Sequence, residues 1–580
     1  MVRIKMRDAN HDMRTLCFLL CIAVGQVACS NTAVCQTTKP LRQEVVSPIR
    51  NDSFNKNGKC RERKLGGNPR TTNQLLIFDG ANDGNRQVDP QIAVGGNHVL
   101  HATNKGLIIY TKSGEFVQGV SQRCFNGGID PKIFYDRHNG VFGFDLWNPW
   151  DKEKKKPVNI SLSKSDDPTG AWNTYPIPAP EARDGGGIGY SRKWIGYSFP
   201  GGKAQTFVLK TEEAKSGKPA TVYHFEGSLG HPVATQDAID ELYFVKLDQK
   251  KITVTKVVEA EGAPVASPLF SVPHNFKYFG WPPQSPQKGT DAKTASGDRN
   301  PKNLVVQGGF LWFSQTINCE DRAAVGWHQI DLKDGAFVQS GLINHSKNSY
   351  IQTTLAVNKR HDVLVGFQET GPEMFISPRL VYRRADDPPG KMRSVLSLGE
   401  GRSATEGGAW GDYSGSVVDG DNMQDLWTVQ SIADSEGRGD TVIARLSHDV
   451  DPSSEDQTDV LRSIKATSIK ATRIHKVTEK FPRKYQRAFD RYVQVIADNG
   501  KPIHVFAQKE ISDLQLRHVR DVMLHYLTDL PGSEFGSNKR AIADRMAKNR
   551  AMMMICKGHD GQFREPRINA QPLYLSLIHI

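Results

Sequence analysis

Two aspartates in this 580-residue chain precede proline in nearly the same local sequence. They occur as Asp89-Pro90-Gln91 and Asp130-Pro131-Lys132, and a short apolar run follows each. Glycoside hydrolysis needs such a pair of carboxylates, one protonated and one ionised. Asp before Pro also favours an extended residue and a defined turn entry. Two interpretations therefore stay open: Asp89 and Asp130 are catalytic carboxylates of one axial cavity, or they are a repeated device that begins a strand.

The elements that must position these aspartates come from an internal repeat. Each copy has an apolar run, a turn of Gly, Asn or Asp, and a second apolar run. A hairpin that recurs about every 40 to 70 residues is typical of a β-propeller, whose units bury their faces only against their neighbours. The pattern predicts an all-β propeller with seven blades, with six as the alternative, in which the first strand of each repeat lies nearest the axis. The copies begin near residues 92, 133, 194, 233, 304, 355 and 417.

The charge distribution argues against nucleic acid as a partner. The chain carries a net charge of +12, but residues 1–70 contribute +8 and residues 451–580 contribute +7. Residues 71–450 are nearly neutral at −3, so the repeats lack the basic stripe that neutralises phosphates. The sequence predicts no nucleic-acid binding by the propeller.

The beginning of the chain has the pattern of an export signal. The apolar run 16–24 follows Arg14, and its length suits a signal peptide rather than a membrane span. We expect a signal peptide over 1–28, a tether over 29–72 and the propeller over 73–448. Val27-Ala28-Cys29 resembles a bacterial lipobox, which predicts lipidation of Cys29, and the alternative is ordinary cleavage. The expected location is secreted, periplasmic or on the outer surface, with membrane contact only through that lipid.

The cysteines are too few and too widely spaced for a metal centre of the Cys-x-x-Cys kind. Outside the cytoplasm some of them are expected to pair. Cleavage after Ala28 would leave Cys29, Cys35, Cys60, Cys124, Cys319 and Cys556.

A change of character follows the last repeat. A polar stretch predicts a linker over 449–475, and β-α-α-β patterning predicts a small α/β domain over 476–574. Residues 575–580 look like the translation of a sequencing adapter. If they are such a scar, the α/β domain is truncated.

A family resemblance rests on two short motifs. Ser165-Asp-Asp-Pro-Thr-Gly-Ala-Trp172, echoed at 385–390, resembles the Asp-box of sialidases with one extra residue before Gly170. Trp410-Gly-Asp-Tyr-Ser-Gly415 is similar to a phrase of secreted bacterial propellers. The chain thus resembles the sialidase-like superfamily of Asp-box repeats. In that family the box is a structural turn on the outer part of a blade, away from the catalytic centre.

The sialidase resemblance would imply an arginine clamp for a carboxylate, a tyrosine nucleophile and carboxylate partners. No sialidase catalytic residue aligns with this chain residue by residue, so none is transferred. The chain also resembles five-bladed arabinanases, in which an Asp of an Asp-Pro pair is the general base. Asp89 matches that position, and Asp130 would be a second carboxylate. The candidate binding residues are Arg192, Tyr197, Arg379, Arg383 and Asp412.

Asp419, Asp421 and Asp425 alternate with other residues in one turn, as oxygen ligands of calcium do. A polar hairpin turn explains the same residues. No other cofactor is expected. Five tryptophans could stack on sugars, although most tryptophans of a propeller fill the gaps between blades. These are Trp147, Trp150, Trp281, Trp312 and Trp410.

The sequence therefore favours an exported propeller that binds a glycan, a peptide or an envelope protein. A glycoside hydrolase that uses axial carboxylates is the first alternative. A propeller that serves as a platform for an enzymatic C-terminal domain is the second. The two leading hypotheses differ in one respect: a hydrolase needs carboxylates that converge in one axial pocket.

Overall fold

The structure is a computed structural model that describes residues 37–51, 61–62, 67–72, 75–447 and 474–555. Within these ranges the description omits residues 82–83, 85–86, 154, 200–202, 204, 510, 512, 514–515, 517–518, 521–522, 525–526 and 528–538. The predicted signal peptide, Cys29 and the segment 575–580 lie outside the described residues. The chain divides into two compact units, residues 1–453 and 454–580.

The first unit is built almost entirely of short strands separated by turns. Its helical segments are a 3₁₀ turn at Gln122–Phe125 and the helix α1 (Thr211–Ser216). The strands that precede the repeats are β1 (Arg42–Val46), β2 (Ile49–Asn51), β3 (Arg61–Glu62), β4 (Gly67–Thr72) and β5 (Leu75–Asp79). The strands of the first three repeats are β6 (Gln91–Gly95), β7 (His98–Thr103), β8 (Gly106–Thr111), β9 (Phe116–Ser121), β10 (Ile129–Asp136), β11 (Val141–Trp147), β12 (Val158–Ser163), β13 (Trp172–Ile177), β14 (Gly187–Tyr190), β15 (Trp194–Ser198), β16 (Thr206–Lys210) and β17 (Ala220–Phe225).

The remaining strands of this unit continue the same pattern of antiparallel meanders. They are β18 (His231–Pro232), β19 (Ala234–Thr235), β20 (Leu242–Leu247), β21 (Lys251–Ala260), β22 (Ala263–Pro273), β23 (Ser285–Gln287), β24 (Thr290–Thr294), β25 (Lys302–Gln307), β26 (Phe310–Cys319), β27 (Arg322–Asp331), β28 (Phe337–Ile343), β29 (Ser349–Val357), β30 (Val363–Gly371), β31 (Met374–Arg383), β32 (Leu396–Ser397), β33 (Gly415–Val418), β34 (Leu426–Ala433) and β35 (Gly439–Leu446).

Consecutive strands pair with one another to form these meanders. The groups are β6–β9, β10–β13, β14–β17, the strands β18 and β20–β22, then β25–β28, β29–β32 and β33–β35. The short strand β19 pairs in parallel with both β14 and β25, which joins two meanders into one ten-stranded sheet. Strands β23 and β24 form a separate hairpin.

The innermost strands contact one another in a closed ring. Strand β6 contacts β10, β10 contacts β14, β25 contacts β29, β29 contacts β33, and β33 returns to β6. A separate apolar cluster fills each space between neighbouring meanders: Phe144 and Trp172 in one, for example, and Phe78 and Trp427 in another. This radial arrangement, in which units bury apolar faces only against their neighbours, is that of a β-propeller.

The ring is closed by a strand from before the repeats. Strand β5 pairs antiparallel with β35, the last strand of the last meander, and β4 pairs with β5. The two ends of the unit therefore share one sheet. Phe78 of β5 is fully buried, with its ring centroid 5.3 Å from that of Tyr110 and 6.5 Å from that of Trp427.

The structure corrects the prediction of a free tether over 29–72. Strands β1, β2 and β3 add to the outer edges of three meanders, where they pair with β17, β13 and β9. The physical reason is that the outer strand of a meander presents unpaired backbone groups, which an additional strand satisfies. The sequence missed β1 and β2 because most of their residues are exposed or half-buried, so they lack an apolar pattern.

The predicted start of the third repeat is also wrong by one strand. The run at Trp194–Ser198 is the second strand, β15, and the strand nearest the axis is β14. Strand β14 reads Gly-Ile-Gly-Tyr, so its weak apolar signal hid it. Gly189 is required here because a Cβ atom would lie 2.6 Å from the backbone nitrogen of Val233.

The second unit is a small sheet with helices. Its elements are β36 (His475–Lys476), α2 (Arg483–Ala488), β37 (Arg491–Ile496), β38 (Pro502–Ala507), α3 (Lys539–Lys548) and β39 (Met552–Ile555). The strand order is β36-β37-β38-β39, with β38 and β39 parallel. The core includes Val505, Leu516, Met523 and Ala543. The predicted β-α-α-β order did not include β36, β37 and α2.

Two further features concern the cysteines and the helices. Cys124 is disulfide-bonded, whereas Cys319 is a buried free thiol. Within the described ranges, no helix has the length and apolar character needed to cross a bilayer.

Candidate functional site

Several inner strands begin with residues in an unusual backbone conformation. Asp89 and Asp130 have φ angles of 50° and 57°, and Asn303 and Gln352 have 47° and 52°. The left-handed region costs a residue other than glycine about 1–3 kcal/mol, and such strain concentrates at functional sites. The expectation that Asp before Pro would be extended was therefore wrong at both positions. Asp and Asn tolerate this region better than most residues, which explains their use here.

Asn104 brings the two predicted aspartates together. It lies in the turn between β7 and β8, and its Nδ2 donates to Asp89 Oδ2 at 2.8 Å. The backbone N–H of Asp130 donates to Asn104 Oδ1 at 2.9 Å. One amide side chain thus links the entries of the first and second inner strands.

Asp89 also reaches the last meander. The backbone N–H of Asp412 donates to Asp89 Oδ1 at 2.6 Å. With the bond from Asn104, both carboxylate oxygens of Asp89 have a donor, and the side chain is buried. Burial raises the pKa of Asp89, while these hydrogen bonds and nearby Lys132 oppose the rise. Asp89 therefore ties the first meander to the last, and Asn104 ties the first to the second.

Lys132 supplies positive charge among these acids. Its Nζ lies 3.3 Å from the centroid of the Tyr413 ring, and its backbone N–H donates to Asp145 Oδ1 at 3.2 Å. Burial lowers the pKa of Lys132, whereas the charges of Asp145, Asp130 and Asp89 raise it. The ammonium group thus offsets part of the repulsion between the carboxylates.

Two carboxyl groups have pKa values near neutrality. Burial raises the pKa of Asp145 to about 7, against the opposing charge of Lys132. Burial also raises the pKa of Asp130 to about 7, helped by the charges of Asp184, Asp89 and Asp412. Groups that titrate near pH 7 can donate or accept protons under physiological conditions.

A cavity of about 890 Å³ opens beside this cluster. Its lining includes Lys132, Asp184, His231, Asp298, Lys302 and Asp412. Asp89 and Asp130 are not among the described residues that line it. The cavity wall thus presents carboxylates and ammonium groups together, and its volume is in the range of small-molecule sites.

The other charges of the cavity wall are held in place by ion pairs and burial. Lys302 Nζ lies 3.3 Å from both carboxylate oxygens of Asp298, and it donates to the Asp412 carbonyl at 3.5 Å. Burial lowers the pKa of His231 to about 4, helped by Lys302, so its imidazole is neutral at pH 7. Burial and the charges of Asp89 and Asp184 raise the pKa of Asp412.

The three candidate binding arginines do not converge on the cavity. Arg192 forms an exposed ion pair with Asp240 at 2.7 Å. Arg379 is buried, with Nε donating to Glu369 at 2.9 Å, and Arg383 is buried and donates to the Asp387 carbonyl at 2.7 Å. Each guanidinium is bonded to residues near it in the fold and does not line the cavity.

Tyr197 and Asp412, the other two candidate binding residues, lie in different surroundings. Tyr197 is buried in the apolar core, where its ring stacks on Phe207 at 5.4 Å. Burial and the charge of Asp145 raise the pKa of Tyr197 well above its usual value. Of the predicted binding residues, Asp412 is the one that lines the cavity.

The predicted calcium ligands lie in the turn between β33 and β34. Lys112 Nζ contacts Asp419 at 2.7 Å and Asp421 at 2.6 Å. The carbonyl, not the carboxylate, of Asp425 accepts from the Asp419 N–H. In the described parts of the chain, no three His, Cys, Asp or Glu residues are grouped to hold a metal. The ammonium group of Lys112 supplies the positive charge there, and these contacts give calcium no support.

The Asp-box-like segment forms the turn between β12 and β13. Asp167 Oδ1 accepts from the Thr169 N–H at 2.9 Å, and Trp172 Nε1 donates to the Pro168 carbonyl at 3.0 Å. The indole is buried in the cluster between two meanders. The segment stabilises a turn and takes no part in the cavity.

Sequence reasoning missed most of the residues that build the site. Two of them left a signal in the sequence. Lys132 is the residue immediately after the second Asp-Pro pair. Asp145 is the charged residue of the otherwise apolar strand β11, and a charged residue in a buried strand indicates a functional or paired site. Asn104, Asp184 and Lys302 gave no comparable signal, because turns and loops contain many such residues.

Comparisons with known proteins find only weak likenesses. No protein-family model matches the chain, and no curated protein matches it significantly. Among solved structures, TolB from Acinetobacter baumannii is similar at 9% identity and a TM-score of 0.28, over 62% of this chain and 79% of that one. The WD40 domain of SCAP from fission yeast is similar at 12% identity and a TM-score of 0.30, over 70% of this chain and 91% of that one. The neighbours are β-propeller proteins.

Proposed function

We propose that the first unit is a seven-bladed propeller of an exported protein and that its axial cavity binds a glycan. The blade number is supported by the meanders described above, in which β5 completes the last blade. Export is supported by the signal-like beginning of the sequence and by the disulfide at Cys124, because disulfides persist outside reducing compartments. Lipidation of Cys29 remains part of this proposal.

The observation that carries the glycan proposal is the mixed polar wall of the cavity. Asp184 and Asp412 offer acceptors, and Lys132 and Lys302 offer donors. Sugar hydroxyl groups both donate and accept hydrogen bonds, so they match such a wall, whereas an anionic or a cationic ligand matches half of it. A peptide or an envelope protein would be the partner if the glycan proposal fails.

Affinity electrophoresis of the full chain tests this proposal, in gels that contain soluble polysaccharides such as xylan, arabinan, laminarin or hyaluronan. We expect one of them to retard the protein. Asp412→Asn should weaken binding about 2- to 10-fold through lost hydrogen bonds. Asp386→Asn is the matched control, because Asp386 is exposed on an outer turn. Retardation by none of these polysaccharides, or equal loss in both variants, would contradict glycan binding at the cavity.

Glycoside hydrolysis is the second candidate, because the carboxyl groups of Asp184, Asp298 and Asp412 line one cavity. Burial raises the pKa of Asp412, which favours the protonated form that a general acid needs. Release of reducing ends from saturating polysaccharide, measured with the wild type and with Asp412→Asn, tests it. Release that is lost in the variant although the polysaccharide is bound supports hydrolysis, and binding without release excludes it for that polysaccharide.

A further inference from the structure

Exposed tryptophan distinguishes one face of the propeller. All nine tryptophans of the chain are described, and most are buried between meanders or half-buried. Trp312 and Trp410, which the sequence offered as sugar platforms, are both fully buried. Trp150 and Trp281 are the exceptions, with 69% and 59% of their surface exposed. An indole that is mostly exposed to solvent is available to stack on a ligand.

Both exposed tryptophans lie at the end of the propeller where the inner strands begin. Trp150 follows β11, whose last residue, Trp147, pairs with Ile129 beside Asp130. Trp281 follows β22, whose end pairs with the start of β21. The adjacent residue Gly280 forms a bridge with Asn318 near the end of β26. Both loops therefore lie at the end of the ring that carries the aspartate cluster.

The loop that carries Trp281 is anchored. Phe276 stacks on His328 at 3.9 Å, and Asn318 donates to the Gly280 carbonyl at 3.1 Å. The guanidinium carbon of Arg299 lies 4.7 Å from the Phe279 ring centroid and 5.3 Å from that of Trp281. An aromatic ring on a fixed loop loses little entropy on binding, which is what a stacking platform requires.

Arg299 places this platform next to the cavity. Its two neighbours along the sequence, Asp298 and Asn300, both line the cavity wall. The indole of Trp281 is thus connected to the cavity through one stacked guanidinium. A ligand seated in the cavity can extend from Asp298 towards the Trp281 ring.

We infer that the entrance face binds a carbohydrate chain of several units, with Trp281 stacking on a sugar ring outside the cavity. This inference rests on the proposed glycan binding and adds the length of the ligand. The flat face of a pyranose or furanose ring packs on an indole, and its hydroxyl edge suits the charged rim. A single sugar bound in the cavity would leave the Trp281 indole unused.

Isothermal titration of the full chain with an oligosaccharide ladder tests the inference. The ladder is prepared from whichever of xylan, arabinan, laminarin or hyaluronan retards the protein. We expect affinity to rise with length in the wild type. Trp281→Ala should reduce the affinity for the longer members about 2- to 10-fold and leave the shortest binding member unchanged. Trp281→Phe should retain most of the gain, and Val338→Ala, exposed on β28, is the control.

The outcomes separate the two proposals. If no polysaccharide is bound, glycan binding fails and this inference fails with it. If oligosaccharides bind but Trp281→Ala keeps the same dependence on length, the inference alone is overturned. Protection of tryptophan fluorescence from iodide by the long oligosaccharide, and not by the short one, supports it. Protection by both equally contradicts it.

Discussion

The Asp89 carboxylate accepts a hydrogen bond from the backbone N–H of Asp412 at 2.6 Å, although the two residues are 323 positions apart. This bond joins the beginning of the first inner strand to the beginning of the last. It belongs to the same cluster in which Asn104 holds Asp89 and Asp130. The site is therefore a product of ring closure, and its integrity and the stability of the ring are coupled.

Asp89→Asn should lower the free energy of unfolding by about 1–3 kcal/mol. Asn can present an oxygen to only one of the two donors, Asn104 Nδ2 and the Asp412 N–H, so a buried donor is left unsatisfied. Asn tolerates the left-handed backbone of residue 89, so the change tests the hydrogen bonds rather than the strain. Urea unfolding at pH 7 measures it, with Asp386→Asn as control. Equal stability of the two variants would show that these bonds contribute nothing.

The contribution of Asp130 and Asp145 to the stability of the first unit should fall as the pH rises from about 4 to about 7. The pKa of Asp130 and that of Asp145 are raised to about 7 in the folded protein, so the folded state holds protons that the unfolded chain releases near pH 4. The contribution is complete below the unfolded pKa and is lost as the pH passes the folded one, whereas buried His231, with its pKa lowered to about 4, acts in the opposite direction. Urea unfolding of the wild type and of Asp145→Asn from pH 4 to pH 8 isolates the carboxyl group: the stability of the wild type relative to the variant should fall over this range. A difference that does not change with pH would mean that Asp145 does not titrate in this window.

Lys132→Met should destabilise the protein more at pH 8 than at pH 5. At pH 8 the carboxyl groups of Asp130 and Asp145 are ionised and lose their positive neighbour, whereas at pH 5 both are largely protonated. Removing one partner from a buried charge cluster costs about 3–5 kcal/mol, and less where water reaches the group. Thermal unfolding at the two pH values gives the difference. Equal losses at both would assign the effect to packing of the Lys132 side chain alone.

Phe78→Ala should lower the free energy of unfolding by about 3–5 kcal/mol. Phe78 is fully buried between the last and first meanders, so its removal opens a cavity where β5 closes the ring. Val117→Ala, at an exposed position of β9, is the control and should cost little. Chemical denaturation measures both. A small effect of Phe78→Ala would show that closure does not depend on this contact.

Apolar periodicity was sufficient to predict the repeated hairpins. Five of the predicted pairs correspond to strands of the meanders, because each strand is buried over most of its length. They are the pairs at Ile92–Leu100, 133–142, 304–312, 355–364 and 417–427. Strand β14 was not predicted because its glycines carry no apolar side chain. The edge strands β1 to β3 were not predicted because no local sequence pattern specifies pairing with a distant strand. For β1 and β2 the pairing partners lie more than 100 residues away.

The sequence by itself determined the kind of fold, its near-neutral charge and the two Asp-Pro strand entries, since these depend on local composition and period. Tertiary structure alone decided what the entries do. It buried Asp89 outside the cavity lining and placed Asp412 on the cavity surface, gathered Lys132 and Asp145 beside them, and dispersed the arginines. The physical reason is that hydrogen bonds and desolvation act over a few ångströms, and only closure of the ring brings residues from distant repeats within that range.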